Sequence, residues 1–498
     1  MGRCSISNFD LKKAMRRSAI APIIALGLIL VAARPAAGHA FLRRYDLPLP
    51  LWHYLFGAGL AVAFTFALLA VFRTNHTRHV PKSIDLSRTI LERFLTNSML
   101  RRALGIASTS AFVLIIAAGL FGAQEDPFKN ILPAFIWVGW WVGFVFLCSL
   151  VGNPWPAINP WAAVGCAVER AAARRSTRPL PPGIGVWPAA VLYIVFAWAE
   201  LVWPENAHPA SLAVAILLYS AITWTAMTIY GTERWLSCGE TFALLFDLLG
   251  RFAPLGRGLD GRLVLRPYGA GLLVSDKVST SMVVFVVALL ATVSFDGFLH
   301  TPPWGRFFGT AFAASYDLGL IDLLGNTGAR TVIVTAGLIA APLIFLAVFI
   351  AVCAWTAALT VGAHTGRPRA FDLARLYAPT LVPIAIAYHL AHYLSLLLIE
   401  GQRLYALASD PFGLGWNLFG TAGIVPDIAV VDARFLWLFS VVAIVAGHII
   451  AVWLAHITAL QKCGDRRRTL VSQIPMLALM IGYTMVSLWI LAQPIVAT

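Results

Sequence analysis

The sequence predicts an all-α, polytopic integral membrane bundle of about ten transmembrane helices behind an N-terminal signal sequence. Of 498 residues, 59% are hydrophobic and only 12% charged, and mean hydropathy is +0.79, values that several soluble domains would not share. The apolar runs are also long: a bilayer core of about 30 Å needs around 20 helical residues. Spans are expected near 51–72, 103–122, 131–151, 184–203, 209–231, 278–299, 331–361, 376–400, 435–460 and 474–492, forming one helical domain over 39–498.

At the N-terminus, Lys12, Lys13, Arg16 and Arg17 form a basic region before the apolar stretch Ala19 to Ala33. Ala36, Ala37 and Gly38 supply small residues for cleavage, so 1–38 reads as a signal peptide, with an uncleaved anchor as the alternative. Cleavage after Gly38 leaves His39 first.

Charge sets the orientation, because short cytoplasmic loops collect Lys and Arg. The loops at 73–102, 152–183, 232–277, 362–375 and 461–473 hold 7, 4, 6, 3 and 4 of them, against 3, 1, 0, 2 and 2 in the alternate segments 34–50, 123–130, 204–208, 300–330 and 401–434. Every alternate loop agrees, and the expected placement is a cytoplasmic (inner) membrane with 401–434 and Thr498 in the periplasm. The net charge of +14 is then a cytoplasmic-face bias, and no nucleic-acid partner is implied. An alkaline phosphatase fusion at Thr498 is expected to be active and one within 461–473 inactive; the reverse pattern inverts the assignment.

The cysteines offer no external disulfide: Cys148 and Cys353 fall in spans, Cys166, Cys238 and Cys463 on the cytoplasmic side, and Cys4 in the signal. There is no C-x-x-C-H, C-x-x-C, G-x-S-x-G or Walker-type glycine loop, which excludes covalent haem attachment, the serine-elbow hydrolases and P-loop chemistry.

The chemistry is expected where ionisable groups sit inside apolar spans. Such a group costs on the order of 2–3 kcal/mol on insertion scales and reads by default as a functional site with a partner. His389 and His392 are three residues apart in one span, about 5–6 Å from each other on one helix face, which a metal ion can bridge. His448 lies at comparable depth in the next span, and the three are expected to ligate a divalent transition metal such as zinc, copper or iron. Interhelical hydrogen bonding without a ligand is the alternative for all three.

Asp296 and Glu400, near outer span ends, are the candidate catalytic acids, Asp296 as a helix-end cap, a ligand or the carboxylate that orients a ligating histidine. Glu200, Glu400 and His53 also read as interfacial residues reaching water, and His456 lies close to the cytoplasmic interface. His76, His79 and His364 fall in basic loops and read as solvated. The Asn-Pro-Trp triplets at 153–155 and 159–161 read as a helix stop with tryptophans anchored at the headgroups. The glycine- and aromatic-rich stretch Asp410 to Gly423 is either a plain connection or a cover for the site.

Several of these stretches together resemble a family. Gly38-His39-Ala40-Phe41, Arg44 to Trp52, Phe295-Asp296-Gly297, Tyr388-His389-Leu390-Ala391-His392-Tyr393, Ala446-Gly447-His448 through His456, Asp410 to Gly423, Gln473 to Met476 and Gln493-Pro494 are similar to bacterial membrane proteins of the fenitrothion hydrolase family. The resemblance spans the chain and implies hydrolysis of a lipophilic organophosphorus triester to a nitrophenol and a dialkyl (thio)phosphate; it brings no established catalytic residues.

A histidine-bound metal with an open position fits such a reaction, since it lowers the pKa of its water to roughly 7 and polarises a phosphoryl group. A lipophilic substrate would concentrate in the bilayer beside it. The rival readings are a haem b held by two imidazoles, copper chelated by an N-terminal His39, and a proton-coupled transporter; an accessory membrane subunit is compatible with each.

Overall fold

All ten apolar segments form helices. The computed structural model describes residues 45–72, 83–172, 176, 178–258, 260–273, 278–359, 369–460 and 470–495. The expected signal at 1–38, together with His39, His76, His79, His364, Cys4, Cys463 and Thr498, lies outside these residues.

In chain order the apolar helices are α1 (Leu51–Phe72), α2 (Ser98–Phe121), α3 (Ile131–Leu150), α4 (Trp187–Leu201) and α5 (Pro209–Tyr230). Within the segment expected to be a loop lies α6 (Thr241–Phe252), followed by α7 (Thr280–Leu299), α8 (Pro302–Asp317) and α9 (Leu320–Leu359). The chain ends with α10 (Val382–Glu400), α11 (Ala433–Leu460) and α12 (Ile474–Ile495). Among the described residues, nine helices are long and apolar enough to cross a membrane, and the protein is a multi-pass all-α membrane protein. The tenth expected span, α4, has 15 residues, about 22 Å at 1.5 Å per residue, and falls short of a full crossing.

Burial separates centre from rim. The apolar window of α7 is 72% buried and that of the Ala370–Glu400 helical segment 67%, against 17% for α1 and 17% for α9, so α7 and α10 form the centre. Around them, α4 and α9 pack on α7, α11 packs on α10, and α1 packs on α11 and α12 at the edge.

Close approach needs small residues, because helices in lipid associate by packing rather than by hydrophobic exclusion. At the α10–α11 crossing, a Cβ on Gly447 would stand 2.3 Å from the Ala387 Cβ and 2.8 Å from the Pro383 carbonyl oxygen. The two backbones meet there without a side chain between them.

The expected loops hold more structure than their charge suggested. Asn159 caps the helix Pro160–Ala171 through Ala162 N (3.1 Å), and Pro160 stands at its start, where a missing N–H costs nothing. The Asn-Pro-Trp triplets therefore start helices rather than stop one. Their tryptophans, Trp155 and Trp161, are buried in the core instead of lying at the headgroups, and Trp161 donates to Ser220 Oγ at 2.8 Å.

Glu240 caps α6, accepting from Phe242 N (3.0 Å), Ala243 N (2.8 Å), the Tyr219 hydroxyl (2.6 Å) and Asn159 Nδ2 (3.2 Å). Burial pushes its carboxyl above the usual range, while the hydrogen bonds from Tyr219, Phe242 N and Ala243 N oppose the shift. At the same end of the bundle, β1 (Ile84–Asp85), β2 (Leu255–Arg257) and β3 (Leu263–Leu265) form an antiparallel sheet in the order β1-β3-β2. The Asp410 turn, whose carboxylate accepts from Leu414 N and Gly415 N, docks on the start of α3 through Ala123 N to Phe412 O and Ile131 N to Pro411 O.

Candidate functional site

Four central elements bring their polar side chains to one place. Helix α3 contains a π-helical stretch from Phe135 to Gly143, a geometry that is rare and often found at functional sites. From it, Trp141 Nε1 donates to Glu200 Oε1 at 2.6 Å. Glu200 is the penultimate residue of α4, and its own carbonyl is held by Asn206 Nδ2 (2.7 Å), while Trp137 of the π-helical stretch donates to Asn206 O (2.8 Å). The end of a helix too short to cross is thus tied to α3 at two points, Trp141 and Trp137, and closed on itself by Asn206.

From α10, the Tyr393 hydroxyl lies 2.9 Å from Glu200 Oε1 and 2.7 Å from Asp296 Oδ2 of α7. His392 Nε2 meets the same Asp296 oxygen at 2.8 Å. The result is a continuous chain, Trp141–Glu200–Tyr393–Asp296–His392. Gly297 makes room for α10 beside Asp296, since a Cβ there would stand 2.2 Å from the Tyr388 hydroxyl.

Donor counting shows what this chain can do. A phenol has one proton to donate, so Tyr393 satisfies one carboxylate at a time. The second contact is a hydrogen bond only when that carboxyl carries a proton of its own to donate to the phenol oxygen. The cluster can therefore hold a proton on either acid and pass it through Tyr393. At the far end, an imidazole oriented by a carboxylate is the arrangement of a general base. The His392 and Asp296 side chains retain 15% and 13% exposure, so this end of the chain is not sealed.

The expected metal ligands part company. His392 directs Nε2 at Asp296. His389, 3% exposed, sits edge-on to Trp141 (5.2 Å between ring centres) and beside Phe146, with its Nε2 buried and without a hydrogen-bond partner. His448 bonds through Nδ1 to the Ile444 carbonyl of its own helix (2.8 Å) and lies beside Tyr483 of α12. Among the described residues, no group of three or more His, Cys, Asp or Glu side chains is placed to hold a metal ion. The physical reason is direction: a three-residue step leaves two side chains about 60° apart around a helix, and in this crowded bundle that is enough for His389 to face α3 while His392 faces α7. The residues do not fit a three-histidine centre. A haem between α10 and α11 does not fit either, because the backbones touch at Gly447.

Of the two expected acids, Asp296 is in the cluster. Glu400, the last residue of α10, instead pairs with Arg403 Nε at 2.9 Å, and Arg403 also covers the Phe128 ring. The carboxylate that does join Asp296 is Glu200, which the sequence placed among interfacial residues. Its signal was present: an acid inside an apolar span, at the same expected membrane depth as Asp296. His53 stacks on Trp52, and His208 caps α5 through Ser211 N, so both have local structural roles.

Comparison of the chain with family models, with curated proteins and with solved structures finds no match.

Proposed function

We propose that the protein is an inner-membrane hydrolase of lipophilic esters, with its acid–base site toward the periplasmic side. Organophosphorus triesters of the fenitrothion kind are the substrate class that the family resemblance implies. The observation that carries this reading is the 2.8 Å contact between His392 and Asp296 at the partly open end of the chain. No step is assigned to a metal, since the histidines expected to hold one face three different helices.

In this reaction His392 takes a proton from water through its remaining ring nitrogen as the water oxygen bonds to phosphorus. The bond to the nitrophenolate breaks, and the leaving group carries off its electron pair. Asp296 stabilises the imidazolium that forms, and Tyr393 and Glu200 accept or return the proton. A nitrophenolate departs without much acid assistance, so a base and an oriented water supply most of what is needed. Substrate arrives by partitioning into the bilayer.

The test is release of nitrophenolate from a nitrophenyl phosphorothioate triester by purified protein in lipid nanodiscs. His392→Gln is expected to lower turnover by about 10²-fold or more, the scale of a lost general base, while a chelator leaves the wild-type rate unchanged. Equal rates in wild type and His392→Gln would overturn the reading; abolition by chelator would return the chemistry to a metal.

A further inference from the structure

Polar groups continue inward from the acid–base cluster, along a line that hydrolysis does not use. The Tyr388 ring lies 5.9 Å from that of His392, and its hydroxyl is fully buried against Gly297 with no hydrogen-bond partner. Asp296 and Tyr483 are both within electrostatic reach of it. Tyr483 of α12 shares a hydrogen bond with Ser294 of α7. Its ring is 5.8 Å from His448, whose Nε2 is buried and again unpartnered. Eight residues further along α11, about 12 Å at 1.5 Å per residue, His456 bonds to Gln473 (3.0 Å) beside the start of α12.

We propose that Tyr388, Tyr483 with Ser294, and His448 form a proton path that leads from the His392–Asp296 end of the cluster into the membrane, toward His456. Each member both donates and accepts a proton, which Phe, Met or Leu at these core positions would not. Burying a hydroxyl or ring nitrogen without a partner costs free energy, and apolar side chains of similar shape would avoid that cost. Tyr388 and His448, on either side of Tyr483 in this order, each bring a buried polar atom without a partner, and a rotated hydroxyl or a bridging water would join them to it. The path shares its outer end with the hydrolytic site but does not depend on hydrolysis.

The experiment uses full-length protein in liposomes loaded with a pH-sensitive dye, with a valinomycin-set potassium potential driving protons inward. Wild type is expected to acidify the lumen faster than empty liposomes. Tyr388→Phe, Tyr483→Phe and His448→Leu should each slow the flux by about tenfold or more, the scale of losing one proton-transfer group, whereas Tyr316→Phe on exposed α8 should not. Tyr388→Phe removes only an unpartnered hydroxyl, so it leaves the packing intact even if His448→Leu does not fold. Wild-type flux equal to that of empty liposomes would overturn the path, as would Tyr388→Phe and Tyr483→Phe both conducting like wild type. Triester hydrolysis measured on the same samples separates the two ideas: flux without hydrolysis sinks the hydrolase reading alone, and hydrolysis without flux sinks the path alone.

Discussion

Asp296→Asn is expected to lower triester turnover by about 10²- to 10⁴-fold, the range of a lost acid–base contribution, with KM nearly unchanged. The substitution keeps the volume of the side chain and its place between His392 and Tyr393. It removes the negative charge that stabilises the imidazolium, and it offers an amide that cannot take up a proton. Substrate binding through the bilayer is untouched, so the loss should fall on kcat. Steady-state kinetics in nanodiscs decides this: a variant whose KM rises while kcat holds would make Asp296 a binding group, and a variant matching wild type in both would remove it from the chemistry.

The largest effect on stability is expected at Gly447. A Cβ there meets the Ala387 Cβ at 2.3 Å and the Pro383 carbonyl at 2.8 Å, and neither is the movable end of a side chain. Gly447→Ala must push α10 and α11 apart and is expected to cost about 1–3 kcal/mol, the usual scale of overpacking; Gly447→Val should cost more and depress the yield of folded protein. Gly57→Ala, where the added methyl meets nothing within 4 Å, serves as the control. Thermal unfolding in detergent, followed by size-exclusion chromatography, measures both. If Gly447→Val melted with wild type, the helix crossing would be looser than its contacts indicate.

The helices were legible because a bilayer imposes length and apolarity together, and α1, α3, α5, α7, α11 and α12 begin and end within a few residues of their expected spans. Helix α6 was not legible. Its 12 residues are too few to cross, and the basic residues flanking it matched a cytoplasmic loop, so nothing in the pattern marked it as buried. In the site, intramembrane depth pointed to His392 and Asp296, which do meet. Depth did not reveal direction. His389 and His448 share the level of His392, yet their rings face α3 and α12, and only packing decides that. Trp141 and Tyr393 escaped because an aromatic residue in a span gives no sign of where its N–H or O–H will find a partner.

The edge position of α1 bears on how the protein is made. Its packing partners are α11 and α12, and the earlier of these begins at Ala433, so more than three hundred residues separate α1 from the surfaces it must join. At roughly 5–20 residues per second of synthesis, that interval lasts on the order of 20–80 s. Throughout it α1 stands in lipid with its backbone hydrogen-bonded only to itself, as a lone helix in a membrane can. The ribosome therefore releases α1 long before its seat exists, and the bundle closes from α11 and α12 back onto it.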